Sequence, residues 1–407
     1  MPSIIDQPRP DQPNFDYLYN KEYYSRLLYA NHFQDKKLSY KILKGGCITP
    51  KGIELEQKSE STYYVHKTHR AVYVGKLFQA YGHFIVESMS LLWFLRTKEY
   101  LENFSECPLI YISMGDFKIA GSQKRILEIL GVNCSKLEPV TEPSQYDELV
   151  VPDTCFWGSG EFFFYLFSQE YIDTFDQVRN FALANIRPVK SRKVYFSYSK
   201  YHVNRSIGED KLEKYFASKG YEIIYHPEKL TFDEQLNILI QCESFASTVG
   251  SCSHNIVFLR DNTEVILIPR TYYLSPWQSV IDQVHKLRIN YVDSSFSLFV
   301  GKSILGGPFL YFVSSNLRKF FHDDNTESIV SVSDFKKYLR VCFGYSITRA
   351  VAYADNPDVY KYYSSVAPDY FNKLFNESWL VRFRKWLKSY PFVRQFINKA
   401  SHFLWRH

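Results

Sequence analysis

The run from Phe245 to Pro269 places the tightest limit on the fold of this chain. An apolar stretch, Phe245–Val249, stops at Gly250-Ser251. A segment of helical pattern, Ser253–Leu259, follows, and after it the β-branched run Val265–Ile268. Strand, tight turn, helix and strand form the unit that aims backbone N–H groups at an anion from a helix N-terminus. Gly250 suits such a turn, because without a Cβ it lets a ligand approach the backbone closely. Gly-Ser before a helix is common, so the surrounding pattern has to decide what the unit does.

The stretch before it keeps the same rhythm. Lys193–Ser197 reads as a strand, Gly208–Lys219 as a helix stopped by Gly220, and Tyr221–Tyr225 as a strand. Thr231–Gln241 reads as a helix with Thr231 as N-cap and Glu234 three residues on, a capping box. Strand–helix–strand–helix–strand matches half of a doubly wound nucleotide-binding sheet. Its ligands sit beyond the carboxyl ends of the strands, where Gly250 falls.

The first half alternates similarly. Tyr40–Leu43 is a strand, Gly45-Gly46 and Thr49–Gly52 are turns, and Arg70–Val74 is a further strand. Apolar spacing from Phe84 to Leu95 predicts a helix over 82–99. Leu109–Ser113 is a strand, Ser122–Leu130 a helix ended by Gly131, and Leu149–Val151 a strand. The alternation argues an α/β fold with a largely parallel sheet. Ser168–Ile186 is helical, and Arg187-Pro188 closes it as a domain boundary. The expected division is a first α/β domain over 1–187 and a nucleotide-binding domain over 188–300. A helical or irregular segment, 301–378, would pack back across both, and a tail would span 379–407. Residues 1–40, polar and rich in Pro, Asp and Tyr, are expected on the surface.

A length of 407 residues is comfortable for two domains, and 45% hydrophobic with 23% charged residues is ordinary for a globular protein. A net charge of +6 does not point to nucleic acid. The seven cysteines have no C-x-x-C spacing, so neither a disulfide framework nor a zinc site is expected. The opening Met1–Pro8 lacks a basic flank and an apolar core, unlike a signal peptide. Ile304–Val313 is interrupted by Gly306-Gly307-Pro308 and is too short to span a bilayer. The expected location is cytoplasmic.

Four motifs in order carry a resemblance. They are Tyr-Gly-His-Phe-Ile-Val-Glu-Ser (81–88), Tyr-Phe-Ser (195–197) with Asn-Arg-Ser-Ile (204–207), His-Pro-Glu-Lys-Leu-Thr-Phe-Asp-Glu-Gln (226–235), and Gly-Ser-x-x-x-Asn-Ile-Val-Phe (250–258). Together they resemble glycosyltransferase family 61, and within it the bacterial members of capsule and surface-polysaccharide biosynthesis. The resemblance covers about 45–300. It implies a GT-B fold, two Rossmann-like domains facing a cleft, a nucleotide-sugar donor in the C-terminal domain and an inverting transfer. The implied acceptor is a hydroxyl of a glycan, lipid-linked in the expected setting. Tyr198 stands where many relatives carry an arginine, and His254 where many carry a threonine.

The residues suit that chemistry. An inverting transfer needs a base for the acceptor hydroxyl and stabilisation for the departing diphosphate. His83 and Glu87, four apart, share a helix face, and either can be the base while the other orients it. For the donor, Gly250 and Ser251 offer backbone groups, Arg205 a bidentate fork, and Lys200 or His254 added charge. Asn255 sits early in a helix it does not favour, and Glu228 can meet the nucleoside ribose. No Asp-x-Asp triplet occurs, so no metal and no cofactor are expected beyond the donor substrate.

From Trp379 onward no acidic residue occurs. Trp379, Phe383 and Trp386 fall on an apolar stripe with Arg384, Lys385 and Lys388 among them, and Pro391 divides the segment. A basic amphipathic helix of this kind is expected to lie on an anionic membrane surface, here the inner face of the plasma membrane. Two other classes fit the same sequence: a pyruvyl-transferase-like enzyme on the same scaffold, and a non-catalytic membrane-associated scaffold of a polysaccharide assembly complex.

Overall fold

The structure, a computed structural model, describes residues 13–18, 30–33, 37–54, 62–115, 118–159, 164–186, 191–201, 206–270, 275–297, 308–339 and 341–342. It is built around two six-stranded sheets. The chain opens with β1 (Asn14–Tyr17) and β2 (Ala30–Phe33), then forms β3 (Tyr40–Thr49), β4 (Gly52–Glu54), β5 (Val65–Phe78), β6 (Leu109–Met114), β7 (Leu137–Pro139) and β8 (Ser144–Pro152). The N-terminal sheet runs β4-β3-β8-β5-β6-β7. Its β8-β5-β6-β7 part is parallel, and β3 and β4 add an antiparallel edge. The Gly45-Gly46 turn expected from the sequence is absent. Gly45 absorbs the bend at a φ of +62°, and β3 continues its ladder to β8 on both sides.

Helices Lys98–Asn103 and Gly121–Ile129 follow β5 and β6 in the chain. The helix expected over 82–99 is two elements. An α-helix covers Tyr81–Glu87, and a 3₁₀ segment covers Ser88–Arg96. Ser88 explains part of the change, since its hydroxyl accepts the Phe78 N–H at 3.1 Å and ties the segment back to β5. Leu91, Leu92, Trp93, Phe94 and Leu95 are all buried there, a distribution around the axis that a single amphipathic stripe does not need.

A small sheet of β2, β9 (Phe156–Ser159) and β10 (Phe164–Ser168) leads into the long helix Gln169–Asn185. The C-terminal sheet is then built from β11 (Arg192–Phe196), β13 (Glu222–Ile224), β14 (Cys242–Thr248), β15 (Glu264–Ile268) and β16 (Arg288–Val292), all parallel. Counted from β11, the strand order is 2-1-3-4-5. Both faces are covered, as the unbroken apolar run of β15 requires. Val194, Phe196, Val265 and Leu267 point to one core, and Tyr195, Ile266 and Ile268 to another. The helix Phe232–Ile240 packs on the first face and Glu209–Ser218 on the second.

The capping box at Thr231 and Glu234 forms as expected. Strand β1 was expected among surface residues but extends the C-terminal sheet beyond β16, with Phe15 stacked on Tyr291 at 5.3 Å. Of the described residues after 308, Phe309, Tyr311, Val313 and Leu317 enter the second core of the C-terminal sheet, while Tyr338 and Cys342 pack with Ile207 and Leu310 in a separate cluster. They include β18 (Phe309–Tyr311), which joins β12 (Ser206–Ile207) and β17 (Ser295–Phe296) in a small sheet.

One apolar cluster runs through both large sheets, from Val72, Leu109 and Val150 to Val194, Phe245 and Ile289. Phe175 and Val178 of the long helix lie in the same cluster, with Phe258 beside Phe175. Charged pairs rim this junction. Arg179 reaches Asp261 at 2.6 Å, and Arg125 reaches Asp233 at 2.9 Å. Among the described residues no helix is long and apolar enough to cross a membrane.

Candidate active site

The order 2-1-3-4-5 puts a topological switch point between β11 and β14, because the helices leaving them cover opposite faces. In open α/β sheets ligands sit at such a point, beyond the carboxyl ends of the strands. Tyr198 follows β11, Thr248 ends β14, Gly250 lies just past it, and Arg270 follows β15. These are the residues at the switch point. Tyr198 is fixed from two directions: its backbone N–H donates to Glu209 Oε1 at 3.0 Å, and its hydroxyl accepts the Cys252 N–H at 2.5 Å. Arg270 lies over the Tyr198 ring at 4.1 Å and donates through Nε and Nη2 to Thr248 Oγ1 at 3.3 and 3.2 Å.

After Gly250 the chain forms a 3₁₀ segment over Ser253–Phe258, where an α-helix was expected. Its opening donors are spent within the protein. Gly250 N–H goes to Ser253 Oγ at 2.9 Å, Cys252 N–H to Tyr198, and Ser253 N–H to the Gly250 carbonyl at 3.0 Å. The turn therefore does not present these N–H groups to an anion, as the sequence pattern led us to expect. Gly250 has a different steric task. A Cβ there would lie 2.7 Å from Cζ of Arg270, so the glycine clears the guanidinium's seat.

The opposite wall comes from the N-terminal sheet. The helix Tyr81–Glu87 leaves the carboxyl end of β5, burying Phe84, Ile85 and Val86 and leaving His83 and Glu87 on its less buried side. Nδ1 of His83 contacts Oε2 of Glu87. The imidazole is stacked on Phe78 at 5.2 Å and meets the edge of Trp277 at 4.8 Å. With Nδ1–H given to the carboxylate, Nε2 is left as the basic nitrogen.

The two walls touch. Tyr81 donates its hydroxyl to Asn255 Oδ1 at 2.6 Å. At Gly82 a Cβ would stand 3.0 Å from Ser251 Oγ and 3.2 Å from His254 Nδ1, so the glycine lets helix and turn approach. His254 is buried and its Nδ1 has no hydrogen-bond partner. Burial pushes its imidazole down to about 4, against a smaller opposing effect of the Gly82 backbone. It is therefore neutral near pH 7 and does not supply the positive charge expected of it. Burial also raises the Cys252 thiol to about 12, which leaves it an unreactive neighbour.

The structure thus gathers His83, Glu87, Gly250, Ser251, His254 and Asn255 around one contact. Lys200 lies 5.8 Å from the Tyr225 ring, and Glu228 pairs with His226 at 2.9 Å while its charge also acts on the Cys252 thiol of the turn. Arg205 lies outside the described residues, as do Trp379, Phe383, Arg384, Lys385, Trp386 and Lys388. Tyr81, Trp277 and Arg270 are at the site but were missed from the sequence. Only Tyr81 carried a signal, its place at the head of the 81–88 motif. No group of three or more His, Cys, Asp or Glu among the described residues is arranged to hold a metal ion.

A switch point of this kind, with a histidine–carboxylate pair on the helix that meets its turn, suits binding of a nucleotide-linked group and deprotonation of a nucleophile. Comparison with known families agrees in class: the chain carries a glycosyltransferase domain. Residues 81–266 match the Glycosyltransferase 61 family, a span that starts at the Tyr81 helix and ends within β15. No curated protein matches the chain.

Proposed function

We propose that this protein is an inverting, metal-independent glycosyltransferase of GT-B arrangement that moves a sugar from a nucleotide-sugar donor to a hydroxyl of a surface polysaccharide or oligosaccharide. The observation that carries this reading is the His83–Glu87 pair on a helix whose Tyr81 and Gly82 meet the turn after β14. The donor lies at the switch point above Tyr198 and Gly250, and the acceptor enters from the His83 side. Glu87 holds the imidazole through Nδ1, and Nε2 takes the proton of the acceptor hydroxyl. That oxygen attacks the anomeric carbon while the bond to the donor phosphate breaks, releasing a nucleoside diphosphate. Glu87 then stabilises the imidazolium. The basic tail, 379–407, holds the enzyme at an anionic inner membrane face, where a lipid-linked acceptor is presented.

A non-catalytic scaffold is the second reading, favoured by the neutral His254 and by the internal use of the turn's N–H groups. Thermal-shift screening against a panel of nucleotide sugars, followed by turnover on lipid-linked glycans with and without EDTA, separates the two. A donor at a hundred times its dissociation constant should add about 2.7 kcal/mol of stability. Turnover should survive EDTA. Donor binding without turnover on any acceptor would favour the scaffold, and a strict need for added Mg²⁺ or Mn²⁺ would rule out the metal-free route.

A further inference from the structure

We infer that Arg270 is the cation that receives the diphosphate of the donor, seated on Tyr198 by the absence of a side chain at Gly250. The inference rests on the glycosyltransferase reading for the nature of the anion, and on geometry for the residue. Tyr198, Thr248 and Arg270 stand at the carboxyl ends of three adjacent strands, β11, β14 and β15, so the guanidinium lies at the switch point, where ligands of such sheets sit.

Three features set Arg270 apart from a packing arginine. Its direct contacts are the Tyr198 ring at 4.1 Å, the Phe309 ring at 5.4 Å, and Thr248 Oγ1, while the buried Glu209 carboxyl acts on it only through space. It makes no ion pair among the described residues, unlike the junction arginines Arg179 and Arg125, which both meet carboxylates. Its guanidinium is therefore not committed to a carboxylate contact and is available to pair with an incoming anion. Second, its fork is oriented before any ligand arrives, since Nε and Nη2 are tied to Thr248 and the plane rests on Tyr198. A planar, pre-set guanidinium suits phosphate oxygens. Third, the surroundings are shaped for it. A Cβ at Gly250 would meet Cζ and Nη1 at 2.7 Å, and Glu209 locks the Tyr198 backbone from below.

The turn that follows β14 has little left to offer an anion, because the N–H groups of Gly250, Cys252 and Ser253 are engaged. His254 is neutral. Arg270 supplies the positive charge that the leaving group needs at the switch point.

The test is calorimetric titration of the full-length protein with UDP, CDP, GDP and ADP, and with the matching nucleosides. Variants are Arg270→Gln, Arg270→Lys, and Gly250→Ala, which keeps the guanidinium but displaces it. Wild type should bind at least one nucleoside diphosphate. All three variants should weaken it by about tenfold or more, with Arg270→Lys the mildest, while affinity for the nucleoside stays unchanged. Arg270→Lys keeps the charge over Tyr198 and serves as the folded control if Arg270→Gln is unstable. Wild-type binding that all three variants retain would overturn the assignment of Arg270 alone. Failure of the wild type to bind any nucleoside diphosphate would overturn the donor reading as well.

Discussion

The Tyr81 hydroxyl donates to Asn255 Oδ1 across 2.6 Å, joining the helix that leaves β5 to the 3₁₀ segment that leaves β14. Asn255 is only 2% exposed, so water cannot replace the donor freely. Tyr81→Phe should lower stability by about 1–3 kcal/mol, the cost of leaving a buried acceptor unsatisfied. Denaturant midpoints with an unchanged m-value would read it. Additive losses in Tyr81→Phe and Asn255→Ala, measured in a double-mutant cycle, would show that the bond does not couple the two segments.

The His83–Glu87 pair makes a catalytic prediction. Both His83→Ala and Glu87→Gln should cut glycosyl transfer by roughly 10²–10⁴-fold while donor affinity is retained. Glu87→Gln should be the milder, because the amide can still accept from Nδ1–H but carries no charge for the imidazolium. Near wild-type turnover in both variants would make the pair a structural tie.

Glu209 makes a pH prediction. Burial raises its carboxyl from 4.5 to about 7, against the opposing Tyr198 N–H and Arg270 charge. A raised carboxyl means that the folded state holds a proton which the unfolded state has lost. The associated stability is complete below pH 4.5 and lost as pH climbs through 7, amounting to about 3 kcal/mol at most. Asp282 behaves in the same sense, while His254 and His285, lowered to about 4 and 3, act in the opposite one. Comparing variant with wild type isolates Glu209. The stability of Glu209→Gln relative to wild type should rise between pH 5 and pH 8. A pH-independent difference would show that Glu209 stays ionised throughout.

The tail makes a membrane prediction. Deleting 379–407 removes seven basic residues, and no acidic ones, from a chain of net charge +6. The truncated protein should be released from anionic liposomes, and binding by the full chain should weaken with salt over a screening length of about 8 Å at physiological ionic strength. Nucleotide binding should be untouched. Liposome pelleting that persists without the tail would place the membrane contact elsewhere.

What the sequence determined by itself was local. The Thr231–Glu234 capping box, the apolar run of β15 and the pairing of His83 with Glu87 four residues on all arise within a turn or two of chain. Periodicity, capping and i,i+4 spacing report them directly. The order of the four motifs was legible as well, and with it the class of enzyme. The tertiary structure decided which groups remained free to act. Whether the N–H of Cys252 is open depends on Tyr198, 54 residues earlier, whose hydroxyl takes it. Whether His254 is charged depends on burial against Gly82 of the helix that leaves the other sheet. Arg270 looks like any arginine after a strand until β11 and β14 bring Tyr198 beneath it and Gly250 beside it. Hydrogen-bond partners, burial and ionisation are set by neighbours in space, and the strand order 2-1-3-4-5 that chose those neighbours is a long-range pairing that no local pattern encodes.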